Sequence, residues 1–196
     1  MLKRADRTEA VVVGVSAGGV EALGIILPAL PAVTPFPVVI VVHLPPTKPS
    51  LLVDIFTPKC ALPVREVIAD EPIAVGTIWF APPDYHVLIE QDRTFGLSIA
   101  EPVNYSRPSI DVLFESAADA YGKGLVGVVL TGASADGALG ARRIKETGGA
   151  VVVQDPKTAE APALPSSALQ RTTPDFVGTL PEIADLLRGL ALARTP

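Results

Sequence analysis

Short β-branched runs recur along the chain, and stretches with helical spacing fall between them. Ala10–Val15 is such a run, with charge before it and glycine after it, and it reads as a strand buried on both faces. After Gly18-Gly19 the spacing changes, and Val20, Leu23, Ile26, Leu27 and Leu30 share one helical face. Pro31 to Pro37 reads as a loop. Val38–Val42 is a second buried strand that ends at His43, with Pro45 and Pro46 as its stop. Ser50 suits the N-cap of a helix from Leu51 to about Thr57.

The middle of the chain is patterned differently. Val64–Ile68, Thr77–Phe80, His86–Glu90 and Gly96–Ile99 are short, partly alternating segments split by turn residues, and they predict a β-rich antiparallel edge. Alternation of strands and helices then resumes. Ser109–Tyr121 is an amphipathic helix with Ile110, Leu113, Phe114 and Ala117 inward. Leu125–Leu130 is a strand, Asp136–Thr147 a helix, Ala150–Gln154 a strand, Pro165–Gln170 a short helix and Pro181–Leu192 a terminal helix. The order predicts an α/β fold class: a doubly wound, mostly parallel sheet with helices on both faces, formed by one domain over residues 1–196.

Composition narrows the function. A net charge of −5 argues against nucleic acid as the main partner, because neutralising phosphates needs a basic face. The apolar segment around Val38–Val42 is too short to span a bilayer, so no membrane insertion is expected. The N-terminal residues lack the apolar core of a secretory signal, and Cys60 is the single cysteine, so no intrachain disulfide can form. These features suit a cytoplasmic protein.

Candidate chemistry gathers at strand ends. Gly14-Val15-Ser16-Ala17-Gly18 matches G-x-S-x-G, a strand-to-helix turn that lifts a serine hydroxyl clear of the sheet. The helix that follows aims its free N–H groups at the place where an oxyanion would form. Gly14, Ser16 and Gly19 also carry the spacing of a degenerate dinucleotide loop, but the next strand ends in His43 and not in the acidic residue such a loop requires. An ordinary serine triad needs a histidine, and the chain offers His43 and His86; His43, at a strand end, is preferred as base. Asp136 follows a buried strand and would orient the imidazole, with Asp155 as rival and a helix N-cap as its alternative job. On the triad reading, Asp136→Asn lowers turnover strongly and alters stability little. No zinc site is convincing, Cys60 reads as structural, and no cofactor or metal is needed.

Taken in order, G-V-S-A-G-G, V-V-I-V-V-H-L-P-P, R-P-S-I-D-V-L-F and G-V-V-L-T-G-A-S-A-D-G-A-L-G resemble the catalytic domain of the chemotaxis protein-glutamate methylesterase (CheB) family, from about Val11 to about Leu187. The resemblance implies a serine hydrolase with the triad Ser16, His43 and Asp136. It also implies demethylation of glutamate γ-methyl esters, and deamidation of glutamines, on chemoreceptor-like helical proteins. It places Ala17 and Ala133 beside the oxyanion and His86 and Arg107 in the substrate cleft, and implies a form without the family's receiver domain. The chain departs from the family's S-T-G-G at Ala17 and from its L-T-G-M-G-x-D-G at Ala133 and Ser134. A catalytically weak regulatory module of the same fold, and an esterase for small-molecule esters, are the alternatives.

Overall fold

A computed structural model describes residues 8–44 and 49–193, so the stop expected at Pro45 and Pro46 lies outside the described residues. The elements in chain order are β1 (Ala10–Val15), α1 (Gly19–Ile26), β2 (Val38–Val42), α2 (Leu52–Phe56), β3 (Val64–Glu66), β4 (Ile78–Phe80), β5 (His86–Ile89), β6 (Phe95–Ser98), α3 (Ile110–Tyr121), β7 (Leu125–Val129), α4 (Ala138–Glu146), β8 (Ala150–Gln154), α5 (Ala163–Arg171), β9 (Phe176–Gly178) and α6 (Leu180–Leu192).

A seven-stranded sheet runs in the order β3-β4-β2-β1-β7-β8-β9, and every pairing in it is parallel. Along β1 the side chains alternate between the two faces. Val11, Val13 and Val15 join α1, α2 and α6 through Leu23, Ile26, Phe56, Ile183 and Leu187. Ala10 and Val12 join α3, α4 and α5 through Leu113, Phe114, Ile144 and Leu164. Both faces are therefore covered, as the near-continuous apolar strands require. Among the described residues no helix is long and apolar enough to cross a membrane.

The middle of the chain differs in detail from its pattern. β3 and β4 join the main sheet as parallel strands. Among the strands of the described residues only β5 and β6 pair antiparallel, in a separate two-stranded sheet with His86 opposite Ser98 and Ile89 opposite Phe95. The strand β9, which the pattern does not reveal, completes the sheet beside β8. Helix α4 begins at Ala138, behind an N-cap Gly137 with φ 103°, two residues later than the pattern predicts. Asp136 is thereby left in the preceding loop.

The strand order matters for function. From β1 the chain builds outward through β2 and β4 on one side, then returns to build through β7 and β8 on the other. The loops after β1 and its two neighbours therefore diverge, opening a crevice at the carboxyl ends of the strands where α/β sheets bind ligands.

Candidate active site

Ser16 is the first residue past β1. Its N–H donates to Thr131 O at 3.0 Å, and its carbonyl accepts from Gly19 N–H at 2.9 Å. The turn into α1 passes through Gly18, whose φ of 75° favours glycine. Gly14 has a different task from the turn geometry its motif suggests: a Cβ there would lie 2.3 Å from Ile110 Cγ2, so its bare Cα admits the first residue of α3. Thr131 ties the serine turn to a second loop. Its hydroxyl donates to Ala17 O at 2.9 Å and accepts from Ala161 N–H at 2.9 Å. Gly132 brings bare backbone against the serine, since a Cβ on it would lie 2.9 Å from Ser16 Cβ.

His43 is the first residue past β2, and its N–H donates to Val15 O at 3.1 Å. The register pairs Val15 with Val42, so Ser16 and His43 leave adjacent parallel strands side by side, at a backbone spacing of about 4.8 Å. The imidazole Nε2 lies 2.8 Å from Asp136 Oδ2, and the histidine side chain is 13% exposed.

Asp136 is wholly buried. Its Oδ2 accepts from His43 Nε2 and, at 2.6 Å, from Ile110 N–H. Its Oδ1 accepts from Ser109 Oγ at 2.7 Å, Asn104 Nδ2 at 3.0 Å and Asp111 N–H at 3.3 Å. Burial by itself pushes this carboxyl up, but the hydrogen bonds from His43, Asn104, Ser109 and Ile110 outweigh it and hold the group below the usual aspartate value. Asp136 thus stays ionised opposite the histidine. Its rival Asp155 accepts from Lys157 N–H at 3.0 Å and caps a single 3₁₀ turn.

Three partners of Asp136 in this cluster, Asp111, Ser109 and Asn104, escaped the sequence reading. Asp111 Oδ1 accepts from Gly140 N–H at 2.7 Å in the first turn of α4, and its Oδ2 accepts from Asn104 Nδ2 at 2.9 Å. Burial, with Asp136 and Glu115 adding to it, raises the Asp111 carboxyl to about 6 against the N–H of Gly140 and the amide of Asn104. Ser109, expected as the first residue of the helix, is instead its N-cap, accepting from Val112 N–H. Nothing local marks it, Asp111 or Asn104 as partners of Asp136.

The remaining site candidates fall in different places. His86 is 2% exposed; its Nδ1 accepts from Ser109 N–H at 3.1 Å and its Nε2 faces Glu101 O at 3.2 Å. It braces the start of α3 from behind, where the resemblance implied a cleft residue. Arg107 does reach a cleft. A cavity of about 400 Å³ beside His43 is lined by Arg107, Asp84, Tyr105 and Pro108, but Ser16 is not part of its lining. The Arg107 guanidinium is committed to Asp84 Oδ1 at 3.0 and 2.7 Å and to the carbonyls of Ile99 and Ala100. Ala17 and Ala133 are both exposed. Ala17 follows the serine directly, and Ala133 follows Gly132. Burial pushes the Cys60 thiol up, with Lys59 opposing, which is the reverse of what a thiolate nucleophile requires.

The arrangement can support acyl transfer: a turn-borne hydroxyl, an adjacent imidazole, and an ionised, buried carboxylate behind it. The family model described as CheB methylesterase matches residues 11–187. A Leptospira interrogans protein named "Putative protein-glutamate methylesterase/protein-glutamine glutaminase" is 49% identical over 178 residues, covering 91% of this chain and 92% of its own. A Methanosarcina mazei protein named protein-glutamate methylesterase/protein-glutamine glutaminase 2 is 37% identical over 180 residues, and there the match covers 88% of this chain and 49% of the relative. The crystal structure of the Thermotoga maritima CheB methylesterase catalytic domain superposes with a TM-score of 0.89 at 31% identity, covering 93% of this chain and 98% of that one.

Proposed function

Because the chain belongs to the CheB methylesterase family, we propose that it hydrolyses glutamate γ-methyl esters, and deamidates glutamines, on chemoreceptor signalling proteins through an acyl-serine intermediate. The observation that carries this reading is the His43–Asp136 contact at 2.8 Å beside the strand end that presents Ser16.

With Asp136 ionised, His43 Nε2 carries a proton and donates it, so Nδ1 is the basic nitrogen available to the serine. Ser16 Oγ attacks the ester carbonyl carbon as its proton passes to Nδ1. The tetrahedral oxyanion draws on backbone N–H groups at Ala17, ahead of the α1 ladder, and at Ala133. Collapse breaks the bond to methoxide, which leaves as methanol with the proton from Nδ1. Water then attacks the acyl-serine and gives one proton to the same nitrogen; Nδ1 returns it to Ser16 Oγ as the acyl bond breaks, and the glutamic acid released gives its own proton to solvent. With glutamine the leaving group is ammonia. The single cysteine suits the reducing cytoplasm, the compartment we assign to the reaction.

The deciding experiment is methanol release from a methylated receptor by wild type and by Ser16→Ala, beside labelling with a serine-directed phosphonate and turnover of a small-molecule ester. Wild type should release methanol and take the label. Ser16→Ala should do neither while melting like wild type, because the contacts of Ser16 with Thr131 and Gly19 are made by its backbone. Near-wild-type methanol release by folded Ser16→Ala refutes the mechanism. Turnover of the small ester alone would reassign the substrate.

A further inference from the structure

Residues 99–107 form a strap across the outside of the site. His86 Nε2 holds it at Glu101 O, and Arg107 Nη1 holds it at Ile99 O and Ala100 O, at 2.8 and 3.1 Å. Arg107 in turn is fastened to Asp84. A bridge between Val103 and Ser106 closes the tip, where Asn104 and Tyr105 are left-handed with φ of 50° and 62°. Tyr105, fully exposed, lines the cavity beside His43.

Asn104 faces the other way. The residue as a whole is exposed, but its Nδ2 reaches inward to Asp111 Oδ2 at 2.9 Å and Asp136 Oδ1 at 3.0 Å. An amide nitrogen carries two hydrogens, one for each carboxylate. Both carboxylates are buried, at 3% and 0% exposure, and two such charges in one site repel each other. A donor shared between them offsets that repulsion. It also fixes the rotation of the Asp136 carboxylate, because Oδ1 is held while Oδ2 is aimed at His43.

We propose that Asn104 is a positioning residue of the hydrolytic site, which keeps the Asp136 carboxylate aligned on His43 from a strap whose outer face borders the cavity. The inference rests on the reading of Ser16, His43 and Asp136 as the reacting set. The charged and titratable groups around the amide are Asp111 and Glu115 on α3, Asp136 ahead of α4 and His43 after β2; His86 touches the cluster through Ser109. Asn104 lowers both Asp111 and Asp136, so its loss lets both carboxyls rise. Asp136 with one donor fewer leaves more of its charge to the imidazole, and the acid limb of the rate profile moves to higher pH.

The test uses the full chain and two variants. Asn104→Gly keeps the left-handed backbone and deletes the amide. Asn104→Asp keeps the shape and replaces the donor with an acceptor. Wild type, both variants and Ser16→Ala are compared in kcat and KM for the methyl ester, in the pH–rate profile, in the rate of phosphonate labelling and in a thermal melt. The expected result is a fall in kcat and labelling of about 10- to 100-fold with KM little changed, and an acid limb displaced upward, more in Asn104→Asp than in Asn104→Gly. Variants that melt lower yet keep the kcat and acid limb of wild type while folded would show a structural residue and overturn the proposal. If wild type takes the label through Ser16 and the Asn104 variants match it, the positioning role alone is lost. If wild type neither labels nor turns over, the reading of the site falls, and this proposal falls with it.

Discussion

Asp111 and Asp136 cap each other's helices. Asp136, in the loop before α4, accepts the N–H groups of Ile110 and Asp111 at the start of α3; Asp111, in the first turn of α3, accepts the N–H of Gly140 in the first turn of α4. Each carboxylate lies at the positive end of the other's helix. The carboxylate that orients His43 is therefore also part of the joint between α3 and α4, and its chemistry cannot be altered without loading that joint.

Asp136→Asn should consequently cost both rate and stability, in place of the small stability change the sequence suggested. An amide offers one acceptor oxygen, and its NH2 would face groups that are themselves donors. Turnover should fall by about 10⁴-fold from the wrong histidine tautomer, and an unsatisfied buried donor adds about 1–3 kcal/mol of destabilisation. Ester turnover and a thermal melt of the same protein check both halves. A variant that melts like wild type contradicts the capping account.

Asp111 makes stability depend on pH. Its carboxyl is raised from 3.8 in the unfolded chain to about 6 in the folded one, so the folded state holds the proton more tightly. That contribution is full below 3.8 and is lost as pH rises through about 6, a change on the order of 3 kcal/mol. Asp136, held low, acts in the opposite sense: its stabilisation is present above 3.8 and is lost as pH falls below that value. Denaturant melts between pH 4 and pH 7 should show a decline in wild type that Asp111→Asn lacks. Parallel curves for the two proteins would place the proton elsewhere.

Gly14→Ala should strain the site from below. Its methyl would collide with Ile110 Cγ2, and the same Ile110 carries an N–H bound to Asp136. Overpacking of this kind costs about 1–3 kcal/mol. Ile110→Ala, destabilising alone, should cost less in the Gly14→Ala background. A double-mutant cycle measured by melting tests this, and additive losses would show that the two residues do not meet.

His86→Ala should behave as a stability mutant. It strands the N–H of Ser109, which is wholly buried, at a cost of about 1–3 kcal/mol, and it releases the carbonyl of exposed Glu101. Phosphonate labelling of Ser16, measured below the melting point, should fall much less than in His43→Ala. Loss of labelling as complete as in His43→Ala would return His86 to the chemistry.

Much of this was legible in the chain. Continuous apolar runs such as Val38–Val42 and the helical spacing after Gly19 are local signals, and each repeats often enough within one element to declare it. Ser16 and His43 were legible for the same reason: each ends a strong strand, and parallel neighbours present their ends together. The three-residue strands β3, β4 and β9 are too short to display a period, so their pairing was decided only when the sheet assembled. The preference for Asp136 over Asp155 was legible too, but the set of donors that surrounds Asp136, the bracing task of His86 and the place of Asn104 were tertiary. Asp136 meets His43 across 93 positions of sequence and Asn104 across 32. Propensity and periodicity report only on near neighbours along the chain, whereas a buried carboxylate is defined by the donors that folding brings to it from elsewhere.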